Sequence, residues 1–336
     1  MAAKKKEEIN LTDNMQVVNE DTEKKVRIRS KLTSYNRWGY AFVVPFVVVF
    51  CVFSIYPVLR TLYLSFTQYK GFGTPKWLGL DNYIRVLTDK IFWQSFGNTW
   101  KIWGINIVLQ LGLAFLLTII FSDIKYKVKG LSIFRAVFYL PNIIAATSVA
   151  LLFQALMDKN YGSFNKIIYD ASIKLNKTFS FIPRYKMVDW LGDKNTAFLI
   201  IAIVAAWMWF GNSFIMLMAS VQGIPTDYFE AAAIDGANRW KVFGKITLPL
   251  IKPILLYVAI TSLIGGLQMF DLPYLMVRPG NQAYSSIRTA MMYLYSFGFG
   301  NNRQMGYASA VAYILFLIIF AFSVAQFFLF NRKEDK

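Results

Sequence analysis

The sequence has no histidine and only one cysteine, and each shortage excludes a class of function. Without histidine the chain lacks the commonest metal ligand and neutral-pH base, and no Ser–His or Cys–His nucleophile pair can form. The single Cys51 lies inside an apolar run, and no disulfide can form within the chain. We therefore expect no catalysis by this chain, no cofactor of its own and no metal site.

A phosphate-binding loop is also missing from the sequence. Such a loop needs a glycine followed, after four residues, by Gly-Lys and a serine or threonine. The nearest imitation, Gly244-Lys245-Ile246, has neither the earlier glycine nor the hydroxyl. If the protein depends on ATP, another chain must bind the nucleotide.

Charged residues are scarce. They make up 16% of the chain, whereas about 25% is usual in soluble domains. Hydrophobic residues make up 56%, aromatic residues 17%, and the mean hydropathy is +0.41. The 36 basic residues outnumber the 19 acidic ones, but they are spread over flanks and loops and form no single nucleic-acid footprint. The composition predicts a membrane protein that binds no nucleic acid.

Several apolar runs are near or above the roughly 20 residues that cross about 30 Å of hydrocarbon. The predicted spans are residues 39–59, 99–121, 133–156, 196–220, 250–270 and 305–330. They predict an all-α polytopic membrane protein with six transmembrane helices in residues 35–332. The preceding residues 1–34 are polar and basic and lack a cleavable signal sequence, which predicts a partly disordered tail. Residues 333–336 form a second short tail.

Basic residues beside the spans predict the orientation. The N-terminal tail, the link at 125–129, the segment 221–249 and Arg332-Lys333 are all basic and fall on one side of the predicted membrane. By the positive-inside tendency this side is cytoplasmic, and both termini are therefore expected in the cytoplasm. Residues 60–98 and 157–195 are then external.

The segment 221–249 is a polar, alanine-rich insert between two spans. Alanine favours a helix, and Asp235-Gly236 supplies residue types that end a helix and turn the chain. A second short helix is expected from Asn238 to Ile246, stopped by Pro249. The insert would form a knob outside the bilayer, with a smooth alanine face and the projecting carboxylate of Glu230, suited to docking in a cleft of another protein.

The motifs of this insert have a specific resemblance. Glu-Ala-Ala at 230–232, Asp-Gly-Ala at 235–237 and Ile-x-Leu-Pro at 246–249 resemble the cytoplasmic loop of permease subunits in binding-protein-dependent ABC importers. Other motifs resemble the sugar-permease branch related to the maltose transporter. They are Gly79-Leu80-Asp81-Asn82-Tyr83, Asn98-Thr99, Phe134-Arg135, Leu140-Pro141 and Gly306-Tyr307-Ala308-Ser309-Ala310. The resemblance extends from about Tyr35 to Phe330.

This resemblance implies a type I ABC importer permease and its partners. The loop would be the coupling helix, seated in a groove of a dimeric ABC ATPase that binds ATP and magnesium. The matching residues are Glu230, Ala231, Ala232, Asp235 and Gly236. The other expected partners are a second homologous permease subunit, an external or periplasmic solute-binding protein docked on the external segments, a sugar or oligosaccharide, and membrane lipid.

The substrate path is expected in spans four and five, which flank the insert. They combine tryptophans with amides, hydroxyls and glycines, a mixture suited to the apolar faces and hydroxyls of a sugar. The resemblance to the maltose-type permease carries substrate contact to particular residues. These residues are Trp209, Asn212, Ser262, Gly266 and Gln268, with Asp271 close behind. Membrane packing is the alternative explanation, since small residues let helices approach closely and tryptophans anchor interfaces.

Two alternatives for the function stay open at this point. The same architecture could import a polyol, glycerol phosphate or another polar solute. From another class, the chain could be a polytopic membrane glycosyl or acyl transferase, although the missing histidines and the complete coupling motif count against it. The sequence also departs from the family after span five. Many relatives have a Gly-Gly-Pro turn where this chain has residues 277–281, and a different outer gate loop is expected.

Overall fold

A computed structural model describes residues 38–121, 130–178, 185–277, 279–301 and 303–331. The predicted tails at 1–34 and 333–336, the basic link at 125–129 and Arg332 lie outside these residues. The chain divides into two units, Met1–Tyr63 and Leu64–Lys336, of which the second contains both candidate sites.

The described residues are mainly helical. The helices are α1 (Trp38–Ser65), α2 (Asp81–Thr88), α3 (Lys90–Phe121), α4 (Leu131–Ile143), α5 (Ala146–Leu156), α6 (Ser163–Thr178), α7 (Ala197–Gln222), α8 (Thr226–Ile234), α9 (Arg239–Val242), α10 (Leu248–Leu250), α11 (Lys252–Leu267), α12 (Asp271–Met276), α13 (Tyr284–Ile287), α14 (Ala290–Gly298) and α15 (Met305–Asn331). Two short strands, β1 (Thr67–Gln68) and β2 (Lys76–Trp77), pair antiparallel, with Thr67 opposite Trp77.

Within the described residues, five helical stretches are long and apolar enough to cross a membrane. They are α1, α3, α7, the stretch Lys252–Met276 that contains α11 and α12, and Met305–Phe330 within α15. The bent pair α4 and α5 becomes a sixth crossing if it is counted as one span. The predicted all-α polytopic fold is therefore confirmed, although α3 begins at Lys90, nine residues before the predicted start of its span.

The third span differs from the continuous run expected at 133–156. The structure divides it into α4 and α5, which are bent by 89° relative to each other. The break is not at Pro141, which lies inside α4, but at Ile144 and Ala145, where the backbone is extended with ψ of 133° at both residues. The bend lets α4 pack along α7 while α5 packs against α12. These tertiary contacts, which hydropathy does not reveal, account for the break.

Two prolines follow π-helical turns. The turn Cys51–Ile55 precedes Pro57 by two residues, and the turn Phe243–Thr247 precedes Pro249 by the same spacing. A proline inside a helix lacks a donor and its ring crowds the carbonyl one turn earlier, whereas a wider π turn relieves that crowding. The expectation that Pro249 stops a helix is therefore wrong, because the helical path continues through α10.

Helix α7 lies at the centre of the second unit. One end packs in a cluster with α3, α5 and α12, and the other end packs with α3, α4 and Ile251. Phe214 and Leu217 of α7 are completely buried in the second cluster, and Phe229 of α8 packs against it. Contact with α7 therefore links the insert after this helix to the bundle.

A third cluster joins α2, α3, α14 and α15. Within it, the buried Tyr293 donates a hydrogen bond of 2.5 Å to Asp89 Oδ2, and its hydroxyl lies 2.7 Å from that of Tyr307. The guanidinium of Arg85 lies 4.2 Å from the centroid of the Tyr307 ring. These polar contacts tie together helices that are distant in the sequence.

Candidate functional site

A cavity of about 280 Å³ lies among α3, α7, α11 and α12. It is lined by Asn106, Gln110, Ala146, Met208, Trp209, Asn212, Ser213, Met216, Val258, Thr261, Ser262, Gly265, Gly266, Gln268, Met269, Phe270, Asp271 and Leu272. All six residues predicted for the substrate path are among them. The structure therefore brings these residues from two spans around one cavity, and their contact with a substrate stays a prediction.

The wall from α7 carries Trp209 and Asn212, near the middle of that helix. A spacing of three residues places both on one helical face. Trp209 is exposed and Asn212 half-buried, whereas the neighbouring Ser213 is buried. An indole ring and an amide are therefore both accessible from the cavity.

Another part of the cavity wall contains the break between α11 and α12. Gln268 has non-helical angles (φ −96°, ψ 10°), and the amide of Met269 bonds to the carbonyl of Gly266 at 3.2 Å, which closes the last turn. The exposed Gln268 lies in this break, and Asp271 occupies the first turn of α12. A carboxylate is favoured there by the partial positive charge of the helix N-terminus. The break thus presents an amide and a carboxylate to the cavity.

Gly266 and Ser262 also have a packing role. Gly266 is buried, and a Cβ added there would overlap the indole ring of Trp103 from α3. The Nε1 of Trp103 lies 3.4 Å from Ser262 Oγ, to which it donates a hydrogen bond. The close approach of α3 and α11 at this point requires a glycine. Gly266 and Ser262 therefore line the cavity and also take part in helix packing, which is the alternative explanation for their presence in the sequence.

Two amides of α3, Asn106 and Gln110, line the cavity but were not among the predicted residues. Both are buried, and Gln110 donates a 2.7 Å hydrogen bond to Ser213 Oγ. The Oδ1 of Asn106 is buried and has no hydrogen-bond partner among the described residues. Two amides four residues apart within an apolar span could have signalled this site, because polar side chains inside a membrane usually face a cavity or a partner.

The insert between α7 and α11 forms the second candidate site, and its first helix ends as predicted. At the end of α8, Gly236 has a positive φ of 68°. The amide of Ala237 bonds to the carbonyl of Ala232 at 2.9 Å, and that of Gly236 to Ala233 at 3.2 Å. These bonds form a Schellman motif, which requires the left-handed conformation at Gly236.

The predicted coupling residues do not all face outward. Glu230, Ala231, Asp235 and Gly236 are exposed, whereas Ala232 is buried. The buried side of α8 faces its own bundle, where the half-buried Phe229 meets the core cluster around α7. Helix α8 is therefore attached to the spans on one side and free to meet a partner on the other.

The tip of the insert is more apolar than the smooth alanine face that was expected. Ile234 is 88% exposed and Trp240 65%. The second helix begins as predicted, with Asn238 as the N-cap whose Oδ1 accepts a 2.9 Å hydrogen bond from the amide of Lys241. Because the π turn carries the helical path past Pro249, the insert joins α11 nearly without a break. Large exposed side chains suit a protein–protein contact.

Comparison with known proteins gives consistent results. The family model described as "Binding-protein-dependent transport system inner membrane component" matches residues 114–334. The probable ABC transporter permease protein YesP of Bacillus subtilis is 32% identical over 286 residues, or 84% of this chain and 87% of that protein. The lactose transport system permease protein LacF of Rhizobium radiobacter is 30% identical over 300 residues, or 89% of this chain and 96% of that protein.

The fold has solved counterparts as well. A chain in the crystal structure of a bacterial ABC transporter involved in the import of the acidic polysaccharide alginate superposes with a TM-score of 0.75. The identity is 21%, and the match covers 89% of this chain and 96% of that chain. A second structure, of the alginate transporter in complex with an alginate pentasaccharide-bound periplasmic protein, gives a TM-score of 0.73 at 21% identity, covering 90% of this chain and 96% of that chain.

These matches determine the class of the protein. The family consists of membrane components of transport systems, and the curated relatives are permease proteins that match this chain over most of their lengths. The chain is therefore a non-catalytic transport subunit, which removes the membrane-transferase alternative, and it is a multi-pass protein of the cytoplasmic membrane. It belongs to the family of binding-protein-dependent transport system inner membrane components.

Proposed function

We propose that this chain is one permease subunit of an ATP-driven importer that carries a sugar or oligosaccharide through the cavity among α3, α7, α11 and α12. The single observation that carries the proposal is the lining of this cavity, in which amides, hydroxyls and an indole ring converge near the middle of membrane-crossing helices. The relatives include a lactose transport system permease protein and an arabinooligosaccharides transport system permease protein, which supports a saccharide cargo.

The chemistry of the lining suits a polyhydroxylated molecule. The exposed Trp209 ring can cover the apolar face of a sugar ring, while Asn212 and Gln268 can exchange hydrogen bonds with its hydroxyls. Polar groups left unpaired away from water cost free energy, and a cargo that satisfies them is favoured.

The conformational change driven by ATP would reach the spans of this chain through α8. We propose that its exposed side, with Glu230, Ala231 and Asp235, and the apolar tip at Ile234 and Trp240 sit in a groove of a dimeric ATPase that binds ATP and magnesium. The packing of Phe229 against the cluster around α7 supports this role, because a displaced α8 would push directly on a cavity-lining span. The insert then faces the cytoplasm, in agreement with its basic residues.

The remaining partners follow from the same mechanism. A second, homologous permease subunit would complete the translocation path, and a solute-binding protein would deliver cargo to the external segments at 60–98 and 157–195. The alginate transporter solved in complex with a periplasmic protein supports the solute-binding protein as a partner. Closure of the ATPase dimer would switch the cavity between outward and inward access.

The test is ligand-stimulated ATP hydrolysis by the complete complex in liposomes, with its solute-binding protein present. Mono-, di- and oligosaccharides should be screened against polyols and glycerol phosphate at matched concentrations. We expect a saccharide to stimulate hydrolysis, and Gln268→Ala to raise the concentration that gives half-maximal transport. If only a polyol stimulates hydrolysis, the cargo is a polyol and not a sugar, and the importer function stands. If the assembled complex responds to no solute, both the sugar cargo and the importer function are contradicted.

A further inference from the structure

Helix α6 lies in the predicted external segment 157–195 and has an exposed apolar stripe to which the proposed transport mechanism assigns no contact. Phe164 is 43% exposed, Ile167 66% and Leu175 48%, and the exposed Ala171 lies between the last two. These positions recur every three or four residues, so they share one face of the helix. With only 16 residues and several charges, α6 does not belong among the membrane-crossing helices. Its stripe therefore needs another apolar environment.

The other side of α6 is fastened to the protein by Asn165. The buried Nδ2 of this residue donates hydrogen bonds to the carbonyls of Asp158, Lys159 and Val188 at 3.3, 3.0 and 2.9 Å. Its Oδ1 accepts bonds from the Tyr185 hydroxyl at 2.8 Å and from Trp190 Nε1 at 3.0 Å. The first turn of α6 is consequently held between the end of α5 and the start of α7.

This attachment determines the depth of α6. Met157 and Leu191, which flank the segment that contains α6, are buried in the same cluster as Ala197, the first residue of α7. Helix α7 has 26 residues, which at about 1.5 Å per residue gives about 39 Å, more than the roughly 30 Å of hydrocarbon. Its first residues therefore lie at the membrane surface, and the start of α6 lies at that level.

The charges of α6 distinguish a lipid surface from a protein partner. The face away from Asn165 carries Lys166, Lys174 and Lys177 against one carboxylate, Asp170. Lysine is depleted in protein–protein interfaces, whereas a basic polar face beside an apolar stripe is typical of helices that lie in a membrane surface. Long lysine side chains can reach the lipid phosphates while the stripe enters the apolar boundary.

We propose that α6 is a membrane-surface helix that inserts Phe164, Ile167 and Leu175 into the interface of an anionic phospholipid bilayer. It lies on the face of the membrane opposite α8, because one span, α7, separates the two. The helix would hold the segment between α5 and α7 at a fixed height beside the path. This inference does not depend on the identity of the cargo.

The test is a spin label at Ile167, in the full chain with Cys51→Ser so that the label is unique. The chain is reconstituted in vesicles of phosphatidylcholine, alone or mixed in equal parts with phosphatidylglycerol. We expect the label from Ile167→Cys to collide with oxygen and to be shielded from a water-soluble nickel chelate. The matched label from Lys166→Cys, one exposed residue away and therefore rotated by about 100° toward the basic face, should collide freely with the chelate. Because one lysine near an anionic surface contributes about 1 kcal/mol, Lys166→Gln should lower the inserted-to-free ratio about fivefold in the anionic vesicles.

Each other outcome counts against the proposal. Equal access of the nickel chelate to both labels would show that α6 does not enter the bilayer. Shielding of the Ile167 label from both oxygen and the chelate would show that protein covers the stripe, and shielding that appears only with the solute-binding protein would identify that partner. Equal insertion in the two kinds of vesicle, unaffected by Lys166→Gln, would refute the requirement for anionic lipid.

Discussion

Replacement of Gly236 by valine should weaken the solute-dependent stimulation of ATP hydrolysis while leaving the protein folded. Gly236 ends α8 with a φ of 68°, and no atom lies within 4 Å of an added Cβ. The substitution therefore causes no steric collision with neighbouring residues, and its cost comes from the left-handed backbone alone. For a residue with a Cβ this cost is about 1–2 kcal/mol.

The magnitude separates a local effect from unfolding. A change of about 1–2 kcal/mol shifts a local equilibrium by about fivefold to thirtyfold, but it is small beside the 5–15 kcal/mol that stabilises a typical domain. The turn held by the bonds from Gly236 and Ala237 should open, and the tip at Ile234 should lose its fixed position relative to Phe229. Insertion and subunit assembly should persist.

The assay is solute-stimulated ATP hydrolysis by the assembled complex, together with transport into vesicles. Gly236→Val should lower stimulation about fivefold to thirtyfold. Gly236→Asn should retain most of it, because asparagine tolerates the left-handed conformation. Gly244→Val is a matched control in the same insert, since Gly244 is helical and also has free space around it.

Two results would refute the reasoning. Normal stimulation in Gly236→Val, in a complex that contains all its subunits, would show that the turn does not transmit force. Equal impairment of Gly236→Asn and Gly236→Val would show that the backbone conformation is not the cause.

Three further predictions concern other parts of the chain. Asn165→Ala should leave buried carbonyls unpaired and destabilise the segment around α6 by about 2–3 kcal/mol. Amide hydrogen exchange at 185–190 should become faster in this variant, whereas Asn160→Ala, at an exposed residue, should leave the exchange rate unchanged. Gly266→Ala should cost about 1–3 kcal/mol of stability, measured by thermal unfolding, because it displaces the indole packed on it; unchanged unfolding and transport would contradict that contact. Burial would raise the pKa of the Asp89 carboxyl, but hydrogen bonds, chiefly from Tyr293, hold it below its ordinary value of 3.8. Because the folded-state pKa is lowered, the ionised carboxyl stabilises the protein above pH 3.8, and this contribution is lost as the pH falls through the folded-state pKa. Tyr293→Phe should therefore lower the free energy of unfolding by about 1.5–3 kcal/mol at neutral pH and by less in acid. A loss of stability that is independent of pH would refute the link.

The end of α8 was predictable because its causes are local. A Schellman motif depends on a few consecutive residues, and Asp235-Gly236 contains the residue types that it needs. The continuation of the second helix through Pro249 was not predictable in this way. Both π turns precede a proline by two residues, but a proline inside a helical pattern commonly ends or kinks the helix, so the proline alone did not predict a continuous path.

The cavity was predicted in part. Trp209, Asn212 and Gln268 could be proposed because their spans flank the insert, and the structure places them together. Asn106 and Gln110 were missed because α3 is distant in the sequence from the insert. The burial of Ala232 was missed for a similar reason, because an alanine in the sequence does not show which distant residues pack against it.

By itself the sequence determined that this is a polytopic membrane protein without histidine or a nucleotide-binding loop, with a helical insert between two of its spans. Hydropathy, local turn chemistry and missing residue types act over short stretches, and the sequence therefore displays them directly. Only the tertiary structure decided the 89° bend between α4 and α5, the approach of Trp103 to Gly266, and the contribution of α3 to the cavity. These features depend on side chains from distant spans that compete for the same space, and such competition is settled only when the helices pack.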